Sequence, residues 1–497
     1  MWRSKRPGDR FRNQFMSNLN AITILALLSW PFVAVWLYTT WPIGRATLWT
    51  ILGADMLLPV GAHIKFSMIP EFDKSSICNL AALFGCVVIC GESIRFASRF
   101  GLVELSIVMV LVCPFITNEL NGDQITVGGA VLPGLGAYDA GSLVISQAIT
   151  LIPFFLGRRF LCNRTDTEEI LRGLIIAGLI YSLPALFEIR FSPQLHTWIY
   201  GYFPHEFLQQ MRDGGFRPVV FMGHGLLVSL FFCISAVAAA AFWRTNTQVT
   251  RRVHLSTSGI TVYLSILLLL CKTASSSIYG AVLVLLVCLT RPKLQSRIAV
   301  LLVSVALLYP GLRIADLVPT SSLLDLMKSI SIEREGSLAV RFFNENQLLE
   351  RASQRWLFGW GRYGRSWIYD ESGRETSVPD GQWIITLGGY GVVGFLAEFG
   401  LLALPIFSTA RALRFAESPK EKAFLSALAL ILAINVFDLL PNSSLRPWTW
   451  LIAGALLGRA ETLRLGAQLP RKLGALLPKK RVAPMKQRAA YRSHVIR

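Results

Sequence analysis

The sequence predicts an all-α protein, a polytopic membrane helix bundle of about twelve spans with one large extramembrane loop. Three observations carry that expectation. Of the 497 residues, 53% are hydrophobic and only 16% charged, and mean hydropathy is +0.50, well outside the composition of water-soluble domains. Apolar runs recur along the whole chain, each near the ~20 residues a helix needs to cross about 30 Å of hydrocarbon. The stretch from Arg313 to Gln382, seventy residues, is the one long polar segment among them.

Taken in order, a basic N-terminus (1–18) carrying Arg3, Lys5, Arg6, Arg10 and Arg12 precedes the first apolar run. That run, Leu19 to Trp41, is longer than the apolar part of a secretory signal and no small-residue cleavage site follows it, so it reads as a retained span. Further runs lie at 46–61, 76–91, 101–117, 140–156, 171–189, 218–242, 257–271, 276–290 and 297–312, completing a membrane bundle over 19–312. The large loop follows at 313–382, and runs at 383–409, 423–440 and 447–463 form C-terminal membrane helices over 383–463. A basic tail closes the chain at 464–497. Within the large loop, Ser337 is placed to cap a surface helix through Leu338 to Trp356.

The formal charge of +19 invites a nucleic-acid reading, but the excess sits at the ends and in short loops between apolar runs, which is a membrane pattern. Basic loops at 157–172, 244–252, 291–297 and 411–422 fall on one side by alternation, together with the tail and its Lys479, Lys480 and Arg481. The positive-inside rule makes that side cytoplasmic. The long loops 118–139, 191–217 and 313–382 then face out. Carried back to the start, the same alternation puts the N-terminus outside despite its basic residues. One early run is therefore expected to be surplus, either the short one around Asp55 or the boundary near Arg45.

Eight cysteines lie almost entirely within apolar runs, so no disulfide framework is implied, and Cys86 and Cys90 lack the His or acidic companions of a metal site. No nucleotide-binding motif appears either, since Gly359, Gly361 and Gly364 have no strand and βαβ context. No cofactor or metal is expected.

Candidate chemistry lies at the outer side. The large loop holds eight arginines (313, 334, 341, 351, 355, 362, 365 and 374) and one lysine against ten acidic residues. Arginine enrichment without net charge fits planar recognition of phosphate or carboxylate, with Arg/Glu pairing on a surface helix as the alternative. Arg217 precedes Pro218, and His224 follows between two glycines at the mouth of a span, where an ionisable group is costly and by default a functional candidate. Lys272 marks an outward turn, where it either meets a phosphate or snorkels to the interface. Asp380, three residues before the span at Trp383, can accept a proton, cap the helix, or do both.

Several of these stretches resemble the bacterial O-antigen ligase and polysaccharide polymerase superfamily. Phe216-Arg217-Pro218 with Gly223-His224-Gly225 looks like that family's Arg followed by a His-containing turn. Arg341, the run Arg355-Trp356-Leu357-Phe358-Gly359-Trp360-Gly361, and the span after Trp383 with Gly391 and Gly394 look like its large periplasmic loop and following helix. The likeness covers roughly 171–402. Where ligases carry a His near the loop's end this chain has Asp380-Gly381-Gln382, a form more like the chain polymerases.

The resemblance implies a GT-C-like fold in the bacterial inner membrane and a glycosyltransferase that moves polyprenyl-pyrophosphate-linked glycan at the periplasmic face. Arg217 and Arg341 would bind pyrophosphate, Asp380 or His224 would orient or deprotonate the acceptor, and Arg355, Arg362 and Arg365 would line the glycan path, with Lys272 as a further contact. The partners implied are the lipid-linked oligosaccharide, a glycan acceptor, membrane lipid and a chain-length regulator, with no nucleic acid. Ligation of finished glycan to another acceptor, and transport of lipid-linked glycan, are the competing readings.

Overall fold

A computed structural model describes residues 20–65, 71–93, 100–212, 214–250 and 256–476. The basic N-terminal residues and Lys479, Lys480 and Arg481 lie outside the described residues. In chain order the helices begin with α1 (Ala21–Thr40), α2 (Ile43–Leu57), α3 (Lys74–Phe84, prolonged by a π-turn over Gly85–Ile89), α4 (Leu102–Glu119), α5 (Ala137–Phe160) and α6 (Arg164–Phe191). After the short α7 (Leu195–Tyr200) come α8 (Gly225–Arg244), α9 (Thr257–Leu270), α10 (Ala274–Leu289) and α11 (Pro292–Ile314). Helices α12 (Thr320–Ile330) and α13 (Ile332–Ser353) belong to the large loop, and α14 (Gln382–Ala412), α15 (Pro419–Asp438) and α16 (Pro447–Leu476) complete the bundle. Two small antiparallel hairpins occur in loops, β1 (Ile125–Val127) with β2 (Ala130–Leu132), and β3 (Met211–Arg212) with β4 (Gly215–Phe216).

The molecule is mostly helical, and among the described residues seven helices are long and apolar enough to cross a bilayer: α1, α4, α5, α6, α8, α11 and the segment Gln382–Phe415 that contains α14. Each expected apolar run is a helix. An uninterrupted apolar segment in a bilayer has no water to satisfy its peptide groups, and the helix satisfies them internally.

Polar contacts divide the bundle into two ends. At one, Arg158 meets Glu104 and Glu461, Lys420 meets Glu168 at 2.9 Å, Arg164 donates to Ser418, and Arg244 donates to the Cys288 carbonyl. At the other, the Asn20 amide donates to the Tyr200 carbonyl, the Tyr200 hydroxyl to Leu57, and Asn121 to Gly359. We call these the basic end and the loop end. Helices run alternately between them, starting with Asn20 at the loop end.

The suspected surplus run around Asp55 is a helix in its own right, α2, and the chain turns after α1 at Trp41 and Pro42, before Arg45. Asp55 is buried there because Lys74 at 3.5 Å and Arg446 pair with it. Three elements distant in sequence are tied together by that one carboxylate, which is how a buried charge becomes tolerable.

Helices α8 and α15 form the core, buried around their whole circumference between Val228 and Phe242 and between Ala423 and Val436, with Phe242 stacked on Phe424 at 5.1 Å. Helices α5 and α16 approach closely. A Cβ at Gly454 would strike the Phe154 carbonyl and one at Gly458 the Arg158 carbonyl, so small residues at a spacing of four let the backbones touch. Outward-facing Leu25, Phe32, Leu183 and Leu289 remain exposed, as lipid-facing side chains are.

Several expected boundaries move, the run at 218–242 becoming helical only from Gly225. Helix α16 runs to Leu476, beyond 463, held by Arg459 on Glu421 and by Arg464 on the Ser408 carbonyl. The loop helix starts at Ile332 rather than after Ser337, because Ser331, extended at φ −165°, is where the chain leaves α12.

Candidate functional site

The β3–β4 hairpin delivers Arg217 to the loop end, its amide bonded to the Gln210 carbonyl at 2.8 Å. The Arg217 guanidinium donates to the Lys272 carbonyl through Nε at 3.3 Å and Nη2 at 3.2 Å, and Lys272 Nζ donates back to the Arg212 carbonyl at 3.3 Å. Two cations far apart in sequence are thus brought side by side. Gly225 is needed for this packing, since a Cβ there would lie 2.8 Å from Arg217 Cβ and 2.9 Å from Gln210 Oε1.

The turn from Pro218 to His224 is fastened from beneath. The buried Glu188 carboxylate accepts from the amides of Val219 and Val220, both at 2.7 Å, and from Leu195 at 3.0 Å, while Phe221 donates to the Tyr181 hydroxyl. His224 then caps α8, its Nδ1 accepting from the Leu226 amide at 3.1 Å. Burial, His205, Arg217 and Arg341 together push its pKa down to about 4, so the ring is neutral at physiological pH. With Nδ1 accepting, the proton sits on Nε2, which makes His224 a hydrogen-bond donor and not a base in this arrangement. The His205 ring meets it edge-on at 4.8 Å.

Arg341, half-buried on α13, lies 3.5 Å by Nε from Asp380 Oδ2 and donates through Nη1 to the Pro441 carbonyl at 3.0 Å. Burial raises the Asp380 pKa above the ordinary carboxylate range, and the Arg341 charge opposes that rise. Asp438 approaches from α15, accepting from Asn442 and Ser444 at 3.0 Å each, within electrostatic reach of Arg341. The base of α13 is pinned by Arg313, 3.4 Å from Glu345, whose carboxylate also accepts from the Tyr309 hydroxyl. Burial pushes the Glu345 pKa up, with Arg313 opposing.

Arg217, Lys272, His224, Arg341 and Asp380 therefore gather at one end of the bundle, each at its half-buried edge. Arg355, Arg362 and Arg365 belong to a different cluster, packed on the loop after α4. Arg365 is fully buried and donates to the carbonyls of Asp123 and Pro133 at 2.9 and 2.7 Å; Arg355 donates to the Leu120 carbonyl and lies over Trp360; Arg362 reaches Ser142 at 3.5 Å. Arg351 stacks on the same Trp360 at 3.6 Å, roughly 15 Å along α13 from Arg341 at 1.5 Å per residue.

A break in α14 joins the two clusters. Gly391 has φ 66°, which interrupts the helix, and residues 356–361 dock into the gap: Val392 donates to Trp356, and Trp360 and Gly361 donate to Gly388 and Gly389, all at 2.8 to 2.9 Å. Peptide groups left open by the break are thereby satisfied in protein, as a bundle interior demands.

Sequence reading assigned no role to His205 or Asp438. A carboxylate at a helix C-terminus, where the dipole disfavours it, was the available signal. Compared with known proteins, the chain matches no family model and no curated protein.

Proposed function

We propose that the protein is a membrane glycosyltransferase that transfers glycan repeat units from polyprenyl pyrophosphate to a growing chain at the outer, periplasmic face of the bacterial cytoplasmic membrane. The observation that carries this reading is the gathering of Arg341, Arg217, Lys272 and the donor His224 at the rim of an apolar bundle, where Arg341 meets the half-buried carboxylate of Asp380. A diphosphate ester with a polyprenyl tail matches both halves of that description.

In the transfer, the acceptor hydroxyl oxygen forms a bond to the anomeric carbon as the bond from that carbon to the phosphate oxygen breaks. The electron pair leaves with polyprenyl pyrophosphate, and the hydroxyl proton passes to Asp380. A single displacement inverts the anomeric configuration. Arg341 and Arg217 meet the charge that develops on the leaving group, where preorganised donors are worth most, and His224 Nε2–H adds a neutral donor. Before substrate arrives, Arg341 is held by Asp380. The diphosphate, a stronger competitor for guanidinium, draws Arg341 away and frees the carboxylate as the acceptor enters.

Product analysis in a strain lacking the protein tests the polymerase assignment. Loss of all long polymer, with single repeat units accumulating on lipid, is the expected result. Long free polymer that fails to become attached to its final acceptor would assign the same chemistry to ligation instead.

A further inference from the structure

A second gathering of cations lies at the basic end, far from the site above. Lys293 from the start of α11, Arg411 from the end of α14, Arg414 from the turn that follows it, and Arg464 from α16 surround a cavity of about 630 Å³, with Phe415 and Ala467 among its apolar lining. Three separate segments converge to build it. Arg464 is aligned by donating to the Ser408 carbonyl at 3.2 Å, and Arg414 lies 4.6 Å over the Phe415 ring.

What distinguishes this group is the missing counter-charge. Elsewhere at the same end, Arg158 is paired with Glu104 and Glu461, Arg159 with Glu92, Lys420 with Glu168 and Arg459 with Glu421. Among the described residues no carboxylate stands in ion-pair contact with Lys293, Arg411, Arg414 or Arg464. Arg411 and Arg414 repel Arg464, and the neighbouring acid, Glu461, is engaged by Arg158 at 2.6 Å. Like charges held around one concavity are stabilised when an anion occupies it.

We propose that this cavity binds a phosphodiester anion, supplied by the headgroup of an acidic phospholipid. Guanidinium groups match phosphate oxygens in planar pairs, the apolar lining accepts the glycerol and first acyl carbons, and the cavity opens where the helix ends meet the headgroup layer. A diffuse positive surface would attract a leaflet without stoichiometry, whereas this cavity holds one headgroup.

The test uses the purified full-length protein in neutral detergent, exposed to phosphatidylglycerol, phosphatidylcholine or water-soluble glycerophosphoglycerol, with retained lipid read by native mass spectrometry and stability by thermal unfolding. One tightly held copy of phosphatidylglycerol, retained in preference to phosphatidylcholine, is expected. In the double variant Arg411→Gln/Arg414→Gln, that copy should be held about tenfold or more weakly, as removal of two cations beside an anionic headgroup implies. Lys293→Gln, at an exposed helix start, should weaken retention in the same direction and serves if the double variant does not fold. Equal stabilisation by glycerophosphoglycerol would overturn the lipid as the source. Retention that does not discriminate between the two phospholipids, or that is unchanged in the variants, would overturn the site.

Discussion

Arg341 and Asp380 hold each other at 3.5 Å in the resting site, and in the proposed reaction each is needed for a different partner. Lysine keeps the charge of Arg341 but not the planar fork, so Arg341→Lys should slow chain elongation about 10- to 100-fold, equivalent to one or two charge-assisted hydrogen bonds. Asp380→Asn should reduce turnover by about 10²–10⁴, the usual range for a lost general base, while the protein still inserts at wild-type level. The pH dependence follows from the same carboxylate. Asp380 must be ionised to take a proton, and burial raises its pKa, so activity should fall with decreasing pH at a higher value than an ordinary aspartate would give. His224, already neutral above about pH 4, should add no inflection near 6.5. Rate profiles of wild type and of a His224→Gln variant check both statements: an imidazole-like inflection that disappears with His224 would contradict the neutral-donor role.

Among the elements, the broken α14 is the one on which the loop depends. Gly391→Ala places a Cβ against the Leu357 carbonyl and forces an L-residue into φ 66°, a conformation costing about 1–3 kcal/mol. Residues 356–361 should then lose their docking, seen as a lower unfolding temperature and new protease cleavage between Trp356 and Gly361; an unaltered cleavage pattern would mean that the dock does not need the break. How far the sequence revealed these elements depends on what each rests on. A long apolar run in a bilayer has one open solution, so the bundle helices were legible from hydropathy, whereas α7 and α12, which lie in the polar loops, were not. The break at Gly391 was not, because it is stabilised by the turn at residues 356–361, and no local pattern encodes that pairing. Nor could spacing separate Arg341, which meets a carboxylate at the bundle rim, from Arg365, which is buried against the Asp123 and Pro133 carbonyls. Ser337 looked like a cap by type, yet the chain bends at Ser331.

For the whole molecule, polar contacts define a loop end and a basic end, and α1 starts at the loop end while α16 runs toward the basic end. In the bilayer, reporters fused before Asn20 and after the C-terminal tail should therefore appear on opposite faces, with the large loop on the face of the former. Both reporters on one face would remove a helix from the alternation and return the count to the twelve that the basic N-terminus favoured.

The proposed function rests on a single event, departure of polyprenyl pyrophosphate as a new glycosidic bond forms. Purified protein incubated with a polyprenyl-pyrophosphate oligosaccharide should yield longer lipid-linked chains and release one polyprenyl pyrophosphate for each linkage made, and Arg341→Lys should suppress both together. Chains that do not lengthen while the wild-type protein binds the lipid-linked substrate would contradict transfer and leave only a carrier.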